Sequence, residues 1–180
     1  TVYDLLTNDS GEELPLMEEY LIPPSEITKA MREAWSNRNG GKKVPETIDA
    51  GHLWILPSDI HLSGAEIELS HKIGRETRLQ EALLPIMDDF DYIIIDTPPS
   101  LGLLSINAMC AANWVMVPVQ AEYYALEGFS MLMNSIKMIQ RRINRNLKIF
   151  GIVMTMVDGR SKLSTCLLYT SPSPRDCRLS

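Results

Sequence analysis

The sequence predicts an α/β fold, a parallel sheet with helices on both faces. Three observations predict it. Residues 91–97 carry the apolar run Tyr92-Ile93-Ile94-Ile95 without polar alternation, as strands buried on both faces do. Two further strand-length apolar segments follow at residues 114–119 and 147–155. Segments of helical period lie between the strands, which makes βαβ units with right-handed crossovers. Composition agrees. Of 180 residues, 45% are hydrophobic and 22% charged, which excludes wholesale disorder, collagen and coiled coil.

The elements follow in order. Residues 3–6 and 25–38 read as helices, the second with Ile27, Met31 and Ala34 at helical spacing. The polar run Asn37-Arg38-Asn39-Gly40-Gly41-Lys42-Lys43 reads as a surface loop, and residues 22–50 as a variable insertion. Leu53-Trp54-Ile55-Leu56 reads as a short buried strand ended by Pro57. Residues 64–70 and 75–87 read as helices, the second striped by Leu79, Ala82, Leu83 and Ile86. The 91–97 strand and a helix over 103–112 come next, then a buried strand over 114–119. A long amphipathic helix over 124–143 turns Leu126, Phe129, Leu132, Met133, Ile136 and Ile139 inward, and a strand over 147–155 closes the series.

The formal charge is 17 − 23 = −6, which argues against a whole-protein electrostatic grip on nucleic acid but permits a local basic patch. No apolar run approaches the ~20 residues of a membrane span. The start, Thr1-Val2-Tyr3-Asp4, carries no signal pattern, so the expected location is cytoplasmic. Cys110, Cys166 and Cys177 are odd in number and lack paired spacing, and His52, His61 and His71 lack metal spacing.

Asp96 carries the strongest chemical signal. It ends the apolar run, and ligands of open α/β sheets bind outside the carboxyl ends of strands. A carboxylate there can hold Mg²⁺, usually through water, beside a nucleotide phosphate. The alternative is a buried strand that ends in Asp. Thr97-Pro98-Pro99-Ser100 favours the ligand site, because two prolines stiffen the loop at its mouth.

Asp91-Tyr92-Ile93-Ile94-Ile95-Asp96-Thr97-Pro98-Pro99-Ser100-Leu101-Gly102-Leu103-Leu104-Ser105-Ile106-Asn107-Ala108 resembles the ParA/Soj chromosome- and plasmid-partitioning ATPases, deviant-Walker P-loop proteins. Ser63-Gly64-Ala65-Glu66-Ile67-Glu68-Leu69, residues 117–128 and Thr155-Met156-Val157-Asp158-Gly159-Arg160 continue the register. The likeness runs from about residue 1 to about 164 and is weakest over 22–50. The family opens with a Lys-Gly-Gly-x-Gly-Lys-Ser/Thr loop, which this sequence lacks. Gly40-Gly41-Lys42-Lys43 follows a helix pattern and opens none, so it cannot surround phosphates with backbone N–H groups. By family register, residues 1–165 are an internal fragment of a P-loop NTPase-like domain, incomplete at both ends. Residues 166–180 resemble translated adapter read-through or form a disordered tail.

The resemblance implies roles residue by residue. Asp96 takes the Walker B role toward Mg²⁺, and Thr97, Pro98, Pro99 and Ser100 form switch II. Thr155, Met156 and Asp158 are base-contact candidates for ATP, against a plain strand-to-turn reading. Glu122, Tyr123, Glu127 and Gly128 are dimer-face candidates, against simple helix entry. Arg160, Lys137, Arg141 and Arg142 are DNA-binding candidates, against a solvated helix face. Lone Cys110 reads as a small core residue.

The implied parent is an ATPase that forms a homodimer with ATP, binds DNA non-specifically and is stimulated by a centromere-binding partner protein. A membrane-associated division-site or cargo-positioning ATPase of the same superfamily is the alternative, as is a degenerate domain without enzymatic activity. This chain, lacking the P-loop, is expected to be inactive by itself.

Overall fold

The computed structural model describes residues 1–8, 19–120 and 125–156, the side chains of 125–127 excepted. Two compact units divide the chain, Thr1–Ile93 and Ile94–Ser180.

In the first unit the described helices are α1 (Val2–Thr7), α2 (Pro24–Arg38), α3 (Leu62–Leu69) and α4 (Arg78–Leu83). Their core gathers Leu5 and Leu6 of α1, Ala65 and Leu69 of α3, Leu79, Ala82 and Leu83 of α4, and Ile86. The stripe expected over 79–86 is therefore buried, but the single helix expected over 75–87 is not formed. Pro85 has no N–H to continue the ladder, and Leu84–Asp89 tightens into a 3-10 turn.

The inward stripe expected for α2 needs correction too, since only Ile27 is buried while Met31 and Ala34 are exposed. Polar ties hold α2 instead. Thr28 Oγ1 donates to Asp49 Oδ1 (3.1 Å) and accepts from the Ala50 N–H (2.9 Å), and Arg32 Nε donates to the Ile48 carbonyl (3.0 Å). The Gly51 N–H also donates to Asp49 Oδ1 (3.1 Å).

The Gly51 N–H, then the Thr28 hydroxyl and the Arg32 charge, hold the Asp49 carboxyl below its ordinary value. A depressed folded pKa contributes stability above the unfolded value, and that stability is lost as pH falls through the folded one. The α2 attachment is expected to loosen below about pH 4. Asp49→Ala should give faster amide exchange at residues 50 and 51 at neutral pH and remove this acid dependence; unchanged exchange would refute the tie.

The strand expected over 53–56 reduces to one antiparallel bridge. Ile22 N–H donates to the Ile55 carbonyl (2.8 Å), and Ile55 N–H returns to Ile22 (3.2 Å). Leu53, Trp54 and Ile55 stay exposed, because one residue pair is no ladder.

The second unit is built from α5 (Leu103–Ala111), β1 (Trp114–Gln120), α6 (Ala125–Arg142) and β2 (Lys148–Thr155). β1 and β2 pair in parallel from Trp114↔Lys148 to Gln120↔Thr155, with a shift between Val115 and Met116. Their α6 crossover is the expected β-α-β unit. Met109 and Cys110 of α5, Ile136 and Ile139 of α6 and Leu147 form the core, with Ile106, Leu132, Met133 and Val115 packed on it. The α6 stripe therefore turns inward as its period predicts; the Leu126 side chain lies outside the described residues. β1 departs from the doubly buried strand expected of it. Val115, Val117 and Val119 face the helices, while Trp114 and Met116 are each 55% exposed.

The 91–97 strand is the largest correction. No backbone hydrogen bond reaches these residues among those described, and Tyr92 (88%) and Ile94 (92%) are exposed. An apolar run becomes a buried strand only when neighbouring backbones satisfy its N–H and C=O groups.

Candidate functional site

The Thr97–Ser100 loop is tied to the helix that follows it. Gly102 caps α5 in an extended conformation, and Ile106 N–H closes the first turn onto its carbonyl (3.1 Å). Ser105 sits buried in that turn. Its hydroxyl lies 2.5 Å from the Ser100 carbonyl, which takes the proton, and 3.4 Å from that of Pro98. Sequence reasoning gave Ser105 no role, although a serine three residues into a helix after a Pro-Pro turn is a recognisable anchor. Asp96, Thr97, Pro98, Pro99 and Ser100 are themselves exposed.

Chain direction sets this loop relative to the sheet. Only Ala112 and Asn113 separate α5 from β1, and α5 packs on the same core as Val115. A helix so tightly linked packs on its strand by running the other way. The start of α5 therefore lies toward the carboxyl ends of β1 and β2, where Gln120 and Thr155 finish side by side. Thr155 Oγ1 donates to the Val119 carbonyl there (3.4 Å). Met156 follows, exposed and at φ 53°, a left-handed conformation that costs a non-glycine residue about 1 kcal/mol.

The remaining candidates are placed unevenly. Glu122, Tyr123, Asp158 and Arg160 lie outside the described residues, as does the side chain of Glu127. Gly128 is in α6, where an added Cβ would meet nothing within 4 Å. Lys137, Arg141 and Arg142 are exposed on α6 and make no ion pair among the described residues. Between Gly128 and Val157 the sequence has five basic residues and no acidic one, so this part of an acidic chain is locally cationic. One of the five, Lys148, rests its ammonium over the Trp114 ring, 5.3 Å from the centroid.

Gly40-Gly41-Lys42-Lys43 is a helix stop. Gly40 and Gly41 take φ 64° and 75°, and the Gly41 N–H donates back to the Ser36 carbonyl (2.9 Å), the six-to-one bond of a Schellman motif. Its amides close α2 and do not converge on an anion. Replacing Lys42 and Lys43 together by alanine should leave nucleotide affinity of any longer protein carrying this sequence unchanged, as a fluorescent-ATP titration would read. A tenfold loss would contradict the helix-stop assignment.

A carboxylate at a strand end can serve a hydrated divalent cation through water. Asp96 offers an exposed carboxylate with no hydrogen bond or ion pair among the described residues. No group of three or more His, Cys, Asp or Glu side chains converges among the described residues. Nor is any of their helices long and apolar enough to cross a membrane.

Fold and topology define a class first, the α/β proteins whose parallel sheet is of the P-loop NTPase kind. The AAA-domain family model AAA_31 matches residues 18–149, and the chain belongs to this family, as one of its ParA/Soj-type partitioning ATPase sequences. The sporulation initiation inhibitor protein Soj of Bacillus subtilis (strain 168) is 46% identical over 140 residues, covering 72% of this chain and 55% of Soj. The chromosome partitioning protein ParA of Myxococcus xanthus (strain DK1622) is 42% identical over 143 residues, 79% of this chain and 50% of that protein. The chain thus spans about half the length of these curated relatives. Among solved structures, cobyrinic acid a,c-diamide synthase from Mycobacterium smegmatis with bound ADP and magnesium superposes with TM-score 0.70 at 30% identity, over 94% of this chain and 57% of the synthase.

Proposed function

We propose that this chain is the sheet, switch and basic-helix portion of an ATP-dependent DNA-partitioning ATPase of bacterial type, working in the cytoplasm on the nucleoid. The observation that carries the reading is the tethered Thr97–Ser100 loop with the exposed Asp96 carboxylate before it, in a family member whose structural relative holds ADP and magnesium. Asp96 would hold Mg²⁺ through water and orient the waters around it, and the Ser105 anchor keeps the loop in register with α5. Bound Mg²⁺ would supply neutralisation of phosphate charge. Thr155, Met156 and Asp158 would make loose contacts to the base.

The phosphate cradle must come from sequence other than the Gly40–Gly41 turn. The 180-residue chain by itself is accordingly expected to show no ATP turnover above buffer; measurable hydrolysis would refute the assignment of that turn.

Local positive charge supports the DNA reading. Lys137 and Arg141 stand i,i+4 on α6 with no acidic partner among the described residues, and Arg142 continues the patch towards Arg160 in sequence. Contacts of this kind to phosphates are sequence-independent and salt-sensitive. Lys137→Glu with Arg141→Glu in the complete protein should lower the slope of log affinity against log salt by about two and weaken all duplex sequences alike. An unchanged slope would remove these residues from the interface.

Gly128 supports the dimer-face reading that it shares with Glu122, Tyr123 and Glu127. A glycine in a helix costs about 0.5–1 kcal/mol relative to alanine, and no described residue crowds its position. The position would admit close approach of a second protomer's backbone. Gly128→Ala should raise the chain's own melting temperature while weakening ATP-dependent dimerisation at least tenfold in the complete protein. Equal dimerisation would end this reading. The partner that stimulates hydrolysis would be the centromere-binding protein of the same partition system.

A further inference from the structure

We infer that α5 is a strut linking the Thr97–Ser100 loop to the cationic α6–β2 turn, so that nucleotide at one end sets DNA affinity at the other. The two ligands rest on the function proposed above; the strut itself rests on contacts within the second unit. α5 has nine residues and spans about 13 Å at 1.5 Å per residue. Side chains hold both of its ends. At the start, Ser105 Oγ donates to the Ser100 carbonyl (2.5 Å). Asn107, only 1% exposed, adds a bond from Nδ2 to the Leu103 carbonyl (3.0 Å). At the far end, Asn144 Nδ2 donates toward the carbonyls of Met109 (3.1 Å), Cys110 (3.0 Å) and Ala112 (2.8 Å).

The residue that grips the end of α5 also shapes the turn. Asn144 Oδ1 accepts the Asn146 N–H (3.2 Å), and Gln140 Nε2 donates to the Leu147 carbonyl (2.8 Å). Lys148 N–H donates to the Asn113 carbonyl (2.9 Å), just past α5. Exposed Arg145 and Lys148 lie in this turn, and Arg141 and Arg142 end the helix before it. The turn opens β2 at its amino end, whereas the loop lies toward the carboxyl ends of the strands. α5 is bonded to both. Its flank is packed through Ile106, Met109 and Cys110. A packed helix shifts as a body instead of bending, because a close-packed core is not continuously deformable. Movement of the loop, carried by Ser105, therefore displaces the carbonyls that Asn144 holds. The Asn144 amide follows them or releases them, and either change re-places Arg145 and Lys148. Coupling of this kind is reciprocal, so DNA should tighten nucleotide by the factor with which nucleotide tightens DNA.

Amide exchange of the 180-residue chain, without ligands, tests the strut. Ser105→Ala should speed exchange at Asn146 and Lys148 at least about threefold, and Asn144→Ala should do the same at Ile106. The amides of Ile136 and Ile139 within α6 should keep their rates, which separates this effect from global loosening. In the complete protein, DNA affinity is then compared with and without ATP and magnesium. Either substitution should reduce the ratio of the two affinities at least about fivefold, and reduce the tightening of ATP by DNA equally. Affinity for DNA without nucleotide should stay within about twofold, since no cationic side chain is removed. Ser105→Ala removes a single side chain–backbone tie and carries both measurements if Asn144→Ala unfolds. Exchange at Asn146 and Lys148 that ignores Ser105→Ala would overturn the strut, as would a ratio that the variants retain. DNA affinity of the unchanged complete protein that ignores ATP would instead overturn the proposed function, and the coupling with it.

Discussion

Asn144→Asp is expected to unfold the second unit under conditions in which the unchanged chain stays folded. The Asn144 amide nitrogen donates toward three carbonyls at the end of α5, Met109 (3.1 Å), Cys110 (3.0 Å) and Ala112 (2.8 Å). Its Oδ1 accepts the Asn146 N–H (3.2 Å), which fixes the amide orientation. The last carbonyls of a helix have no partner within it, so one side chain from the α6–β2 turn supplies donors to carbonyls beside the core. The same turn sets the register of the sheet, since Lys148 N–H donates to the Asn113 carbonyl (2.9 Å).

An aspartate removes both donors and points negative charge at the negative end of a helix. Lost hydrogen bonds and uncompensated charge together cost about 3 kcal/mol or more, against about 1–3 kcal/mol for Asn144→Ala. Urea titration followed by Trp114 emission, with Trp35 and Trp54 replaced by phenylalanine in every chain compared, reads the order: unchanged Asn144 most stable, then the alanine variant, then the aspartate. Equal midpoints would show that solvent satisfies those carbonyls.

Asn144 also illustrates what a sequence conceals. It stands in the polar run Arg142-Ile143-Asn144-Arg145-Asn146, which reads only as a turn. Its partners lie 32 to 35 residues earlier and carry no local mark. The helices were legible because their cause is local: a period of apolar residues at Leu132, Ile136 and Ile139 specifies a face whatever covers it. Strands depend on neighbours that no local pattern names. Trp114–Gln120 and Lys148–Thr155 found each other through the α6 crossover, whereas residues 91–97, with three consecutive isoleucines, have no backbone partner among the described residues. Pro85 shows an intermediate case, in which one residue's missing N–H divided a helix that apolar spacing alone would have continued. At the site, Asp96 and the Pro-Pro loop were recognisable from residue type and order. Ser105 was not, because its role rests on the approach of two carbonyls.

Asp96→Ala is expected to abolish ATP turnover of a complete protein carrying this sequence, by at least a hundredfold, without lowering its melting temperature. The second half distinguishes chemistry from structure. Asp96 is exposed and has neither a hydrogen bond nor an ion pair among the described residues, so its removal leaves no orphaned group. Ser105→Ala should behave in the opposite way. That hydroxyl is buried and bonded to the Ser100 carbonyl, so its loss costs about 1 kcal/mol and frees the loop. Turnover should fall only several-fold, because the Asp96 carboxylate is still present and misplaced for part of the time. Asp96→Asn keeps size and removes charge, and it should match the alanine variant if cation binding is the role. Magnesium titration of residual activity separates the cases: the serine variant is restored by excess Mg²⁺, while both Asp96 variants are not. Full activity in Asp96→Asn would show that the position needs a hydrogen-bonding group instead of a charge, and would move the cation site elsewhere in the protein.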